Sequence, residues 1–75
     1  RVAAVKAALQ DPAVPGAMQA ITTLGHDQRY YVMVRGWLMY QLQGDRSRLE
    51  SNPDQPELRL RVDFMERAIR AIDLE

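Results

Sequence analysis

One stripe of apolar residues in the C-terminal third limits the fold more than any other feature. Its members follow one another at spacings of four and three residues: Leu58, Val62, Met65, Ile69 and Ile72. Apolar side chains with this period lie on one face of an α-helix. Such a face must pack against another helix, so we expect an all-α protein, a small bundle of three to four helices.

Proline and glycine divide the N-terminal part of the chain into two short predicted helices. An Ala-rich stretch predicts a helix over about residues 1–10, which ends at Asp11 because Pro12 follows it. A second helix is predicted to begin at or near Pro15, since proline is favoured in the first helical turn. Gly25 is predicted to end this helix in the left-handed conformation that glycine readily adopts.

The third predicted helix is the most apolar segment, and Asp27 is its predicted N-cap. Between residues 30 and 42 the apolar side chains point in every direction around a helix, which predicts burial on all sides and a buried Trp37. A strand over residues 30–34 is the alternative, because β-branched and aromatic residues dominate there. Gly44 either ends this helix or interrupts one that continues past Leu49 until Ser51, Asn52 and Pro53 end it.

The start of the fourth predicted helix is marked by Asp54, which Glu57 follows three residues later as in a capping box. This helix should run almost to the C-terminus and pack on the third as an antiparallel hairpin. Gly36, in the middle of the third helix, predicts a close helix crossing. Three acid-first ion pairs are expected on the solvent face of the fourth helix: Glu57 with Arg61, Asp63 with Arg67, and Glu66 with Arg70.

Charge and cysteine content exclude several classes of protein. The 75 residues include ten basic and ten acidic side chains and no cysteine. Neutral charge argues against a nucleic-acid or anionic-membrane surface, and the missing cysteines exclude disulfides and the familiar zinc sites. The apolar run of the third helix is too short to cross a bilayer, and residues 1–10 lack the apolar core of a signal peptide. We therefore expect one cytoplasmic domain over residues 1–75, cut from a longer chain since it begins at Arg1.

The sequence offers no recognisable catalytic chemistry. His26 is the single histidine and has no cysteine or second histidine as a partner. The glycines are scattered and form no phosphate-binding loop. An aromatic group on the third helix could stack on bases, although packing in the core is the favoured interpretation: Tyr30, Tyr31, Trp37 and Tyr40. We predict no catalytic, metal-binding or cofactor-binding residue, no small-molecule substrate and no enzymatic activity.

A second apolar stripe on the fourth helix points instead to protein–protein interaction. It lies beside the main stripe, which needs only one neighbouring helix. Together with the outer side of the third helix it forms the predicted interface: Leu60, Phe64, Ala68 and Ala71, with Val32 and Met39. The predicted function is an interaction module, as a self-associating adaptor or a small accessory subunit, with a second copy or another protein as its partner. Alternatively, the first or second helix covers this stripe within the same chain.

A nucleic-acid-associated regulator is the rival function. Residues 15–43 superficially form a degenerate helix-turn-helix unit. The positions that would face the bases, residues 30–34, are apolar or aromatic, and only Arg29 and Arg35 supply positive charge nearby. Two cations are too few to neutralise a phosphate backbone, so no nucleic-acid partner is predicted.

Overall fold

Four α-helices make up the computed structural model, which describes residues 1–74. They are α1 (Val2–Gln10), α2 (Ala17–Gly25), α3 (Tyr31–Ser51) and α4 (Pro56–Asp73). The closest packing joins α3 to α4, while α2 contacts both of them and α1 lies mainly on α2. Arg35 pairs with Asp73 and Asp45 with Arg61, so α3 and α4 are antiparallel. The all-α class and the C-terminal hairpin are confirmed, and the alternative of a strand over residues 30–34 is wrong.

One hydrophobic core lies where the four helices meet. The main stripe of α4 faces this core, with Met65, Ile69 and Ile72 buried in it and Val62 packed at its margin. The other helices contribute these buried side chains: Val5, Ala8 and Leu9 from α1, Ala17, Ile21 and Leu24 from α2, and Val34, Leu38 and Leu42 from α3. Four short apolar faces therefore close on one another, as the periodicity of α4 requires.

The joint between α2 and α4 depends on Gly25. The predicted left-handed conformation at this residue is wrong, because Gly25 is the last helical residue of α2 and is buried. A Cβ atom at Gly25 would lie 2.6 Å from Cγ2 of Ile72, so only glycine lets the two helices approach this closely. The left-handed position is Gly16, with φ of 76°, directly before α2.

The two predicted N-caps are also wrong. α3 begins at Tyr31, and the Asp27 carboxylate accepts a hydrogen bond of 2.9 Å from the backbone N–H of Arg29, two residues further on. Asp27 thus stabilises the turn before the helix. α4 begins at Pro56 with no side-chain cap, so Gln55 and not Asp54 directly precedes the helix. Proline is favoured at this first position because its φ suits a helix and its missing N–H would have no helical partner.

α3 continues without a break through Gly44 to Ser51, but only one side of it is buried. Val32 and Tyr40 are 78% and 82% exposed, so the prediction of burial on all sides is wrong. Trp37 is only partly buried, with the Lys6 ammonium 5.5 Å from the centroid of its ring. A chain of this size has too few helices to surround a central one.

The predicted helix crossing at Gly36 is wrong as well. Gly36 is exposed, and a Cβ atom placed on it would meet nothing within 4 Å. Its neighbours on the helix surface are Val32 and Tyr40, one turn to either side. The outer side of α3 is therefore open to solvent at this point. Within residues 1–74, no helix is both long enough and apolar enough to cross a membrane.

Candidate functional site

A groove of about 370 Å³ lies between α4 and the segment that connects α1 to α2. One wall is the connector, residues 11–13, and the other is the side of α4 that carries Leu60 and Phe64. Charged side chains of α4 also line the groove: Glu57, Arg61 and Arg67. The groove therefore combines an apolar middle with charged margins, which is the usual composition of a protein-binding surface.

The connector wall is shaped by a tight turn. Asp11 ends α1, and its carboxylate accepts a hydrogen bond of 3.1 Å from the N–H of Ala13. The backbone oxygen of Asp11 accepts a second bond, also 3.1 Å, from the N–H of Val14. Pro12 restricts φ between these contacts. The local sequence thus orders the wall, but its position beside α4 depends on how α1 packs.

The α4 wall presents one exposed apolar side chain beside one nearly buried ring. Leu60 is 70% exposed, whereas Phe64, one helical turn later, is 8% exposed. The guanidinium of Arg67 lies 5.9 Å from the centroid of the Phe64 ring and also donates to Asp63 at 2.9 Å. Phe64 forms the floor of the groove, and Leu60 stands at its rim.

The structure divides the second apolar stripe of α4 between core and surface. Ala68 is completely buried, Ala71 is partly buried, and Phe64 belongs to the core while touching the groove. Leu60 alone of the four is freely exposed. The alternative interpretation, that the stripe packs within its own chain, therefore describes Ala68 and most of Phe64.

The two predicted interface residues of α3 lie elsewhere. Val32 is exposed, and Met39 packs partly buried against the core. Val32 belongs to the end of the hairpin where Arg35 meets Asp73, and Leu60 belongs to the opposite end, beside Arg61. The structure does not bring these α3 residues together with the α4 groove into one surface.

Four groove residues share one face of α4 in a symmetric order. Glu57, Leu60, Phe64 and Arg67 follow at spacings of three, four and three residues. The midpoint between Glu57 and Arg67 is residue 62, and so is the midpoint between Leu60 and Phe64. The outer pair carries opposite charges and the inner pair is apolar. We call these four residues the α4 face.

A buried carboxylate lies behind the groove. The Asp45 side chain is completely buried on α3, and its Oδ1 accepts hydrogen bonds of 3.2 Å from Gln41 and from Arg61 Nε. Arg48 donates to the same oxygen. Oδ2 has no hydrogen-bond partner among the described residues. Two guanidinium groups thus balance one buried charge, as burial of a carboxylate requires.

Arg61 connects this carboxylate to the end of α1. Its two terminal nitrogens donate to the backbone oxygens of Leu9 and Gln10, both at 2.8 Å. These oxygens belong to the last turn of α1, where carbonyl groups have no partner within the helix. A cation is also favoured there by the helix dipole. The guanidinium therefore caps α1 from α4.

The predicted ion pairs on α4 are only partly correct. The pair of Asp63 and Arg67 is confirmed at 2.9 Å. Arg61 binds Asp45 instead of Glu57, and Glu66 binds Arg46 of α3 at 2.6 Å, so these two predictions are wrong. In both cases a partner on another helix replaces the neighbour one turn away.

The α2–α3 unit uses its two cations within the fold. Arg29 pairs with Asp27 at 2.8 Å, and Arg35 pairs with Asp73 at 3.0 Å. Tyr31 donates a hydrogen bond of 2.5 Å to the same Asp73 carboxylate. The hydrogen bond from Arg35, followed by that from Tyr31, holds the pKa of Asp73 below its usual value. This cluster attaches the end of α4 to the start of α3.

One further polar contact involves the single histidine. Nε2 of the exposed His26 lies 3.0 Å from the backbone oxygen of Ala71, within hydrogen-bond distance. Within residues 1–74, no three histidine, aspartate or glutamate side chains lie together in an arrangement that could hold a metal ion. No protein-family model, curated protein or solved structure matches this chain.

Proposed function

We propose that this protein is an interaction module that self-associates through the α4 face as a symmetric dimer. The observation that carries the proposal is Leu60, an apolar side chain 70% exposed at the rim of an apolar groove. A side chain beside a groove that could receive the same side chain from a second copy suits a twofold interface. The partner is therefore a second copy of the chain.

Charge order on the α4 face favours an antiparallel arrangement of the two copies. If the helices cross with twofold symmetry at residue 62, Leu60 of each copy lies opposite Phe64 of the other, and Glu57 lies opposite Arg67. Both ends of the interface then join unlike charges. A parallel arrangement would place Glu57 against Glu57, which like-charge repulsion disfavours.

The expected dimer is weak. Burial of one Leu side chain contributes roughly 1.5–3 kcal/mol, and twofold symmetry provides the contact twice. The ion pairs at the margins contribute little affinity but determine orientation. These two Leu contacts alone do not exceed the cost of lost translational and rotational freedom, so contacts of Phe64 and of the connector must add to them. We expect a dissociation constant on the order of hundreds of micromolar.

A weak dimer is suited to an adaptor or a small accessory subunit that assembles at high local concentration. The proposal assigns no enzymatic step to the chain. The titratable clusters support it, since Asp45 and Asp73 each take part in an ion pair that joins α3 to α4, and Asp27 pairs with Arg29 within one turn. The cysteine-free composition is in keeping with a cytoplasmic location, which belongs to the same proposal.

Sedimentation over a concentration series tests the interface. The native chain should shift from monomer toward dimer mass between about 10 and 500 μM, and Leu60→Glu should stay monomeric with unchanged helical circular dichroism. Leu74→Glu is the matched control, because Leu74 is 82% exposed but lies outside the groove. A monomeric native chain, or a Leu60→Glu dimer of native affinity, would contradict the proposal.

Charge reversal tests the antiparallel orientation. Glu57→Lys alone should weaken association, since it places two cations at each end of the interface. Glu57→Lys combined with Arg67→Glu should restore it, because unlike charges meet again. The effect should diminish in high salt. Failure of the double variant to recover while both single variants remain folded would exclude this register.

A further inference from the structure

We infer that Asp45 and Arg61 act as a clamp that holds the connector wall of the groove in place. While the clamp holds α1, the groove keeps the shape that receives the second copy, and release of α1 weakens the dimer. The inference concerns regulation of the α4 groove, and its coupling to dimerisation rests on the proposed function. Asp45 does not line the groove. It acts through Arg61, and we therefore treat it as a positioning residue.

Arg61 makes three hydrogen bonds that join two other helices, α3 and α1. Its Nε donates to Asp45 on α3 at 3.2 Å, and its terminal nitrogens donate to Leu9 and Gln10 at the end of α1. The planar guanidinium presents these donors in a fixed arrangement. Orientation by the buried carboxylate thus directs the remaining N–H groups at the α1 carbonyls.

The groove depends on the same contacts because its connector wall starts where α1 ends. Residues 11–13 form that wall, and Arg61 binds the oxygen of Gln10, the residue directly before it. Helix α1 has nine residues and packs mainly on α2. A helix of this length is unstable alone, so its last turn needs an external partner. If Arg61 releases the two carbonyls, the wall loses its attachment to α4.

Asp45 holds Arg61 in a strongly constrained way. The carboxylate is completely buried and bound only through Oδ1, while Oδ2 has no partner in the described part of the chain. All the known hydrogen bonds of this carboxylate therefore converge on the oxygen that orients Arg61. An uncompensated guanidinium beside the core would be costly, so the two side chains depend on each other.

Arg61→Lys is the decisive variant, because lysine keeps the charge but cannot make the three directed contacts. Arg48→Lys is the matched control, since Arg48 also binds Asp45 but is exposed and makes no contact with α1 among its hydrogen bonds. Hydrogen exchange of the backbone amides, measured on dilute monomeric protein, reports whether the end of α1 and the connector are held in place. Arg61→Lys should accelerate exchange at residues 9–13 by about tenfold, with α3 and α4 unchanged, and Arg48→Lys should leave residues 9–13 unchanged.

Asp45→Asn provides the second arm. It should accelerate exchange at residues 9–13 in the same direction as Arg61→Lys, although Asp45 has no hydrogen bond to α1 among the described residues and does not line the groove. Dimer dissociation constants, measured well below the unfolding temperature, should rise about tenfold for both variants and stay native for Arg48→Lys. Agreement of the two readouts supports the coupled clamp.

The contrary outcomes separate the inference from the function it rests on. Native exchange at residues 9–13 in Arg61→Lys overturns the clamp, and so does equal acceleration in all four helices, which indicates general destabilisation. Local acceleration without a change in the dissociation constant overturns the coupling. A monomeric native chain overturns the proposed function, and exchange at the connector then decides the clamp by itself.

Discussion

The N-terminal helix pair and the C-terminal hairpin reach their folded state by different means. α1 and α2 have nine residues each, whereas α3 has 21 and α4 has 18. Helices of nine residues are unstable in isolation, so the folding of the N-terminal pair depends on its contacts with the hairpin. The comparison shows that a short helix can be secured by a few specific contacts where its own length does not suffice.

Besides the side chains that α1 and α2 bury in the shared core, two kinds of specific contact secure these helices. Gly25 lets α2 approach Ile72 closely, which is a steric fit, and Arg61 binds the last turn of α1, which is a polar one. The hairpin instead has an extended apolar seam and ion pairs at separate points along it, such as Arg46 with Glu66. Substitutions in the seam should therefore affect the whole molecule, and substitutions at the joint should affect mainly the N-terminal pair.

Leu38→Ala should have the largest effect, because Leu38 is completely buried on α3 in the centre of the seam. Loss of a buried Leu side chain lowers the free energy of unfolding by about 2–5 kcal/mol. Urea unfolding should show this loss, with the slowest amides of all four helices exchanging faster. A loss confined to one half would contradict a shared core.

Gly25→Ala should destabilise the packing of α2 against α4. The new Cβ would lie 2.6 Å from Cγ2 of Ile72, and overpacking of this kind costs about 1–3 kcal/mol, more than the helix propensity that alanine adds. Urea unfolding measures the loss, and Gly44→Ala on exposed α3 is the control. Gly25→Ala with Ile72→Leu, which removes the branch at Cβ that carries Cγ2, should recover part of the loss. A stabilised Gly25→Ala would disprove the close packing.

Gly36→Ala should stabilise the protein, whereas Gly25→Ala should destabilise it. A Cβ atom at this exposed position of α3 meets nothing within 4 Å, so only helix propensity changes. The free energy of unfolding should increase by about 0.5–1 kcal/mol. Thermal unfolding by circular dichroism measures the gain. A decrease would mean that something approaches Gly36 in solution.

The smallest expected effect is a pH dependence in the turn between the two halves. Hydrogen bonds from Arg29 lower the pKa of Asp27 to about 2 from its usual value of 3.8. A folded-state pKa below the unfolded value adds stability above the unfolded pKa, and this is lost as pH falls from about 4 through about 2. An NMR titration of the Asp27 carboxyl should give the lowered pKa, and Arg29→Gln should raise it. A pKa near 4 in the native protein would exclude the ion pair.

Features that depend on local spacing could be predicted from the sequence. The stripe of α4 that includes Met65 and Ile72 follows from its period alone, and Leu60 and Phe64 follow in the same way.

The two predicted N-caps are wrong for different local reasons. Asp27 binds Arg29, two residues further on, and α4 begins with Pro56 in place of a residue capped by Asp54. Local patterns are ambiguous when two partners compete for one side chain.

The connector wall and the clamp could not be predicted because they join distant residues. Asp45 lies seven residues after Leu38 and three after Leu42, which indicates an inward-facing position, but nothing in that spacing identifies Arg61 as its partner. The burial of α3 was overestimated for the same reason, since composition does not show how many neighbours a helix has. Tertiary packing decided each of these features.

The contact between Arg61 and Gln10 has a consequence for the order in which the chain is made. The two residues are 51 positions apart, so α1 is synthesised long before the side chain that caps it. At roughly 5–20 residues per second, this interval is about 3–10 s on a ribosome. During that time a nine-residue helix has an exposed, uncapped end. Of the four described helices, α1 thus emerges first and is among the last to become secure.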